Sequence, residues 1–192
     1  MKIPKTVLWL LLVAIVAGIA CGTVAIRRGF STKDEPSSLE TALARGARNL
    51  AIPGSAKNEK NPYAATAENI ATGREHFADH CATCHANDGS GQTEMGPNFY
   101  PKVPDLRLAQ TQSLTDGEIF YIINNGVRLT GMPGWGASHG ADDTWKLALF
   151  IKHLPQLSAE EKKDMERFNP KSADDDGDHG GDHHEEGGHH HH

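Results

Sequence analysis

Cys81-Ala82-Thr83-Cys84-His85 is the segment of this chain best suited to chemistry. Two thiols three positions apart at the end of a helix can reach the two vinyl groups of one porphyrin and form thioethers. The adjacent imidazole then lies under the iron as an axial ligand. Other uses of the same residues fit less well. A zinc site needs about four ligands, and the body of the chain has no second Cys pair. His76 and His80 precede Cys81 on the same helix and would need a contorted loop to join it. A thioredoxin-like dithiol requires a βαβ context, whereas no alternating strand pattern of useful length occurs. A disulfide between Cys81 and Cys84 would leave His85 unexplained. One covalently attached haem c is therefore the expected cofactor.

The elements that must position this segment read as helices. The first starts near Thr66 and runs into Cys81, with Ile70, Gly73, Phe77 and Cys81 along one face. In the next, Thr115 can cap, Glu118 sits at the third helical position, and Leu114 and Ile119 form a hydrophobic staple. Gly126 supplies its stop. A third spans about Asp143 to Leu154, with Leu147, Phe150, Ile151 and Leu154 on its apolar side and Pro155 after it. Ser158 and Glu161 mark a further capping box, and that segment is expected to end at Asn169-Pro170. The domain reads as all-α.

Outside the domain the chain changes character. Lys2 and Lys5 precede an apolar run from Val7 to Ile26, followed by Arg27 and Arg28. Twenty residues at a 1.5 Å rise match the roughly 30 Å hydrocarbon core of a bilayer. A cleavable signal peptide has a shorter apolar stretch, about 7–15 residues, so residues 1–28 read as an uncleaved signal anchor. Cations at both ends leave its orientation open. Cys21 lies within the run; it suits either a small apolar position in a membrane helix or the lipid-modified cysteine of a lipoprotein. Residues 29–61 read as a spacer. Ser37 to Glu40 has the form of a capping box within it, followed by Leu39, Leu43, Ala47 and Leu50 at helical spacing. Residues 171–192 read as a disordered tail of acids, Gly and His that could bind a metal weakly. The net charge of −6 argues against a nucleic-acid binder, and the acidity belongs to the tail. Three cysteines allow at most one intrachain bridge.

With these residues in view, the stretch from Ile70 to Leu154 resembles a class I cytochrome c. Gly73-x-x-x-Phe77-x-x-x-Cys81-x-x-Cys84-His85 is similar to the family's first helix, where Gly and the aromatic allow close crossing with the C-terminal helix, here Trp145 to Leu154. Gly96-Pro97-Asn98 stands where the family has a proline whose carbonyl takes the Nδ1 proton of the proximal His, which implies that role for Pro97. Gly131-Met132-Pro133-Gly134-Trp135 resembles the loop that carries the distal methionine. The implied fold is three main helices around one haem (residues 62–157), behind one transmembrane helix, with an extra C-terminal helix over 158–170. The whole chain is also similar to membrane-anchored bacterial monohaem cytochromes c.

Among the methionines, Met132 lies 47 residues after His85 with a whole helix between, enough chain to reach the opposite haem face. Met95, 10 residues after His85, belongs to the loop on the proximal side, and Met165 is expected outside the core. His85 and Met132 are thus the expected iron ligands. Trp135 and Trp145 are expected to pack, and His76, His80, His139 and His153 to be solvated or hydrogen-bonded. The resemblance implies a carrier of single electrons rather than an enzyme. It would be tethered through residues 7–26 to the bacterial inner membrane with the haem domain facing the periplasm, working with redox proteins or a membrane respiratory complex and with no small-molecule substrate. The alternative is an electron-transfer subunit of a stable membrane oxidoreductase.

Overall fold

The computed structural model describes residues 4–27 and 31–169; Lys2, Arg28, Pro170 and the acidic His-rich tail lie outside them. Helix α1 (Lys5–Arg27) has a mean hydropathy of 2.6 and none of it is buried against the rest of the chain. It is long and apolar enough to cross a membrane. Its one hydroxyl away from the ends, Thr23 Oγ1, donates to the Ile19 carbonyl at 2.7 Å, so the polar group is satisfied within the helix. Cys21 is an exposed free thiol on this helix.

Ser37 caps α2 (Ser38–Ala51) by accepting from the Glu40 N–H at 3.2 Å. Leu39, Leu43 and Leu50 remain exposed along it, Leu50 at 88%. Tyr100 Oη donates to Glu40 Oε1 at 2.6 Å, which ties α2 to the domain. The short α3 (Gly54–Asn58) follows, and here the spacer reading needs correction. Ile52 and Ala56 are buried, Thr115 Oγ1 donates to the Lys57 carbonyl at 3.1 Å, and Asn61 Nδ2 donates to the Trp145 carbonyl at 2.9 Å. From Ile52 onward the chain is part of the domain, because Ile52 and Ala56 are buried and the Ala56 backbone lies against Gly117 of the helix that Thr115 caps.

Helix α4 (Ala67–His76) is capped by Thr66, continues through one π turn at Phe77–Cys81, and ends in α5 (Ala82–His85). After a long loop come α6 (Ala109–Gln112), α7 (Asp116–Asn125), α8 (Ala141–His153) and α9 (Ala159–Met165). Among the described residues there is no strand. Of the three capping boxes expected from the sequence, those at Thr115/Glu118 and Ser158/Glu161 form in full, whereas at Ser37 only the half in which Ser37 accepts from the Glu40 N–H is present. Helix α7 stops at Gly126, whose φ of 68° is open to glycine and strained for other residues.

The core lies where α4 crosses α8. A Cβ added to Gly73 would run into the Lys146 carbonyl oxygen and lie 3.1 Å from Phe150 Cβ. Phe77 packs on Phe150 with ring centroids 5.2 Å apart, and both are fully buried. Helix α7 joins through Phe120, which stacks on Trp145 at 4.1 Å. Propensity favours Ala over Gly in a helix by about 1 kcal/mol, but a backbone carbonyl cannot swing aside as a flexible side-chain tip can. Gly73→Ala is therefore expected to lower stability by about 1–3 kcal/mol in denaturant melts, while Glu75→Ala on the exposed face stays within about 0.5 kcal/mol. A Gly73→Ala protein as stable as the parent would mean the crossing is not the constraint.

Met165 corrects a second expectation, since it is fully buried within the core cluster. Helix α9 folds back on α4 and α8: Arg74 reaches Asp164 at 3.1 Å and Glu161 at 3.5 Å, and His153 Nε2 lies 3.1 Å from Glu161 Oε1. The extension thus closes the domain. Its helix ends at Met165, short of the expected Asn169-Pro170.

Candidate functional site

Cys81, Cys84 and His85 lie on one continuous helical stretch, at the end of the π turn and through α5. The turn is closed by the Ala82 N–H donating to the Phe77 carbonyl. Burial first, then the neighbouring Cys84 and Asp79, pushes the Cys81 thiol up to about 12, and burial also raises Cys84. Thiols that stay protonated at neutral pH are poor metal ligands and poor redox nucleophiles. Cys81 and Cys84 are therefore neutral, apolar groups suited to covalent attachment beside a hydrophobic cofactor.

His85 is half-buried, and loss of solvent around the ring pushes its imidazole down to about 4. It is neutral at physiological pH, with a lone pair available to a metal. Its Nδ1 is buried with no hydrogen-bond partner. The carbonyl that favours the protonated ring is that of Pro104, although its geometry falls short of a formed hydrogen bond. Pro97 does not take the place the resemblance implied. It is exposed, and its carbonyl accepts from Lys102 Nζ at 2.7 Å. The cause is the path of the loop. The chain leaves α5 through Ala86 at φ 59°. The Leu106 N–H then donates to the Gly89 carbonyl at 2.8 Å, and Arg107 bridges Asp105 at 2.7 Å and Asp88 at 3.2 Å. These contacts return residues 104–107 to the turn that follows His85. The Arg107 guanidinium holds the Asp105 carboxyl below its ordinary range.

Met132 sits half-buried in a loop folded back on the end of α7. Its carbonyl accepts from the Val127 N–H at 3.1 Å, its own N–H donates to Thr130 Oγ1 at 3.1 Å, and the Trp135 N–H donates to the Ile123 carbonyl at 2.9 Å. Gly131 lies against the Phe99 ring, which a Cβ there would approach to 2.5 Å. The loop bearing Met132 therefore packs on the loop that follows His85. Met95 is 47% exposed and Met165 belongs to the core. Trp135 packs against the core cluster and Trp145 is buried within the domain, as expected.

The remaining histidines divide. His153 is hydrogen-bonded to Glu161, but His76, His80 and His139 converge on one another. An i, i+4 pair on α4 and the π turn gave a sequence signal for two of them; the third is 59 residues beyond His80 and carried none.

Residues 68–151 match the protein-family model described as cytochrome c oxidase, cbb3-type, subunit III. Those residues are a c-type cytochrome domain. The fold is that of the class I cytochromes c, all-helical, preceded by one apolar N-terminal helix. None of the curated proteins matches the chain. A chain of the Kuenenia stuttgartiensis reducing HAO-like protein complex is similar at 19% identity and a TM-score of 0.43, over 48% of this chain. This chain covers 46% of that one, about half its length. Membership in the cytochrome family implies haem c, and the donor set suits it: two neutral thiols and a neutral imidazole, close together on one helical stretch.

Proposed function

We propose that the protein is a membrane-tethered carrier of single electrons, with one haem c bound through Cys81 and Cys84 and ligated by His85 and Met132. The observation that carries this reading is the state of His85: a half-buried, neutral imidazole that directly follows two protonated thiols on one helical stretch. When bound, haem supplies the Fe(III)/Fe(II) couple. Cys81 and Cys84 fix its position covalently. The Pro104 carbonyl favours the tautomer with the proton on Nδ1, leaving Nε2 as the donor to iron. Met132 would be the second side chain to hold the iron, leaving no place for a substrate or O₂, and its thioether would favour the reduced state. Helix α1 holds the domain at the membrane surface. In the family resembled, haem attachment takes place outside the inner membrane, which supports a periplasmic domain.

Two observations favour membership in a larger oxidoreductase as the second reading. The matching family is described as a subunit of a cytochrome c oxidase, and α2 presents Leu39, Leu43 and Leu50 with no cover. Full-length protein is expected to stay in carbonate-washed membranes, to titrate as a one-electron couple, and to bind no CO when reduced at neutral pH. CO binding would point instead to a sensor or peroxidase with an open iron site. Co-purification of other subunits from mild detergent would select the second reading over the free carrier.

A further inference from the structure

The three histidines at the α4–α8 end of the domain carry an inference independent of the haem reading. His76 and His80 project from α4 and the π turn, and His139 from the residue before Gly140, which caps α8. One ring nitrogen of each lies within 4.8 Å of one from each of the others, and all three residues are half-buried. His76 Nε2 and His139 Nδ1 are 3.0 Å apart. Imidazole nitrogens bound to one zinc ion at about 2.0–2.1 Å stand roughly 3–3.4 Å from each other, so this pair already has the separation of two ligands on one ion.

The surroundings supply what such a site needs. Asp79 Oδ2 lies 2.8 Å from His80 Nδ1. A carboxylate there holds the ring proton on Nδ1 and leaves Nε2 with its lone pair, the arrangement found behind metal-binding histidines. Asp143 acts with Asp79 on His76 and His139, giving two carboxylates to offset the charge of a dication. Burial first, and then the neighbouring rings, hold His76 and His139 below the ordinary imidazole range, so both are neutral near pH 7. Trp135 forms the wall, stacked on His139 at 4.7 Å and 6.1 Å from His80. His139 is itself placed by its N–H, which donates to the Trp135 carbonyl at 2.9 Å.

We infer that His76, His80 and His139 bind one divalent transition-metal ion of the zinc class, with the fourth position left to water. Three imidazole ligands suit zinc, copper or nickel and disfavour calcium or magnesium. The ion would tie the loop that carries Met132 to the helix that carries Cys81, since His139 follows Met132 by seven residues and His80 adjoins Cys81.

The test uses full-length holoprotein in which the tail cannot compete, with His179→Ser, His183→Ser, His184→Ser and the same change at 189–192. Zn(II) is titrated against a competing chelator. One ion per haem is expected, with imidazole nitrogens as ligands in X-ray absorption at the zinc edge. His139→Gln and His80→Gln should each weaken binding at least a hundredfold, Asp79→Asn about 10–100-fold, and His153→Gln should leave it unchanged. The haem absorption spectrum of each variant, recorded without zinc, separates loss of the site from loss of the fold, and Asp79→Asn stands in for any His variant that does not fold. No stoichiometric zinc, or zinc that both His→Gln changes leave in place, would overturn the inference while leaving the electron-carrier reading untouched.

Discussion

Protein carrying Cys81→Ala together with Cys84→Ala is expected to show no haem stain on a denaturing gel, where the parent chain stains fully. Both thiols are protonated and desolvated, Cys81 most strongly, and they sit on a helix held rigidly by Phe77 and Ala82 in the core. Each could add across one vinyl group of a haem, and a carbon–sulfur bond survives denaturation, whereas the proposed bond from His85 to iron would not. The single variants should each keep one thioether and therefore retain stain, with a shifted absorption band from the unreacted vinyl. The double variant should be deficient in folded domain as well, because a haem held between the proposed ligands His85 and Met132 would no longer be fixed there. The decisive control is the parent: acid-acetone extraction that removes its haem would end the claim of covalent attachment.

How much of this was legible in the sequence depends on the range over which each feature is determined. The caps at Thr66, Thr115 and Ser158 involve partners three residues apart, so spacing alone locates them. Gly73 was legible because close helix crossing demands the smallest residue one turn before Phe77, and the structure places Lys146 against it. The Cys81 to His85 segment announces its chemistry by composition. What spacing could not resolve was which of three prolines after His85, at 97, 101 and 104, returns to the ring. That choice is made by the Leu106–Gly89 hydrogen bond and the Arg107 ion pairs, which involve residues up to 19 positions apart. Met165 was misplaced for a similar reason. A seven-residue amphipathic helix carries too little periodicity to show its inner face, and only its pairing with Arg74, 90 residues earlier, brings it into the core. The contact between His76 and His139 spans 63 residues and left no local trace.

For Met132, the proposed sixth ligand, the backbone rather than the side chain is already in place. Main-chain hydrogen bonds from Trp135 to Ile123 and from Gly136 to Asn124 hold the Met132 loop against α7, and the loop is closed on itself by Val127 donating to the Met132 carbonyl and Met132 donating to the Thr130 hydroxyl. Gly131 lets it approach the Phe99 ring, and Pro133 restricts it further, so little entropy remains to be lost when the sulfur meets iron. Met95 lacks such a frame: it is 47% exposed, on the loop that leaves the His85 side. Oxidised parent protein should therefore show the weak near-infrared charge-transfer band of a methionine-ligated ferric haem. Met132→Ala is expected to abolish that band, to open the reduced iron to CO, and to lower the reduction potential by on the order of a tenth of a volt or more, a fraction of the roughly 0.8 V that axial ligation spans. Because Met132 is only half-buried and its loop is held by backbone groups, the variant should keep the helical fold. Met95→Leu should leave the band, the potential and CO exclusion nearly as they were. If Met95→Leu erased the band and Met132→Ala retained it, the iron would be held from the proximal-side loop, and the frame around Met132 would need another purpose.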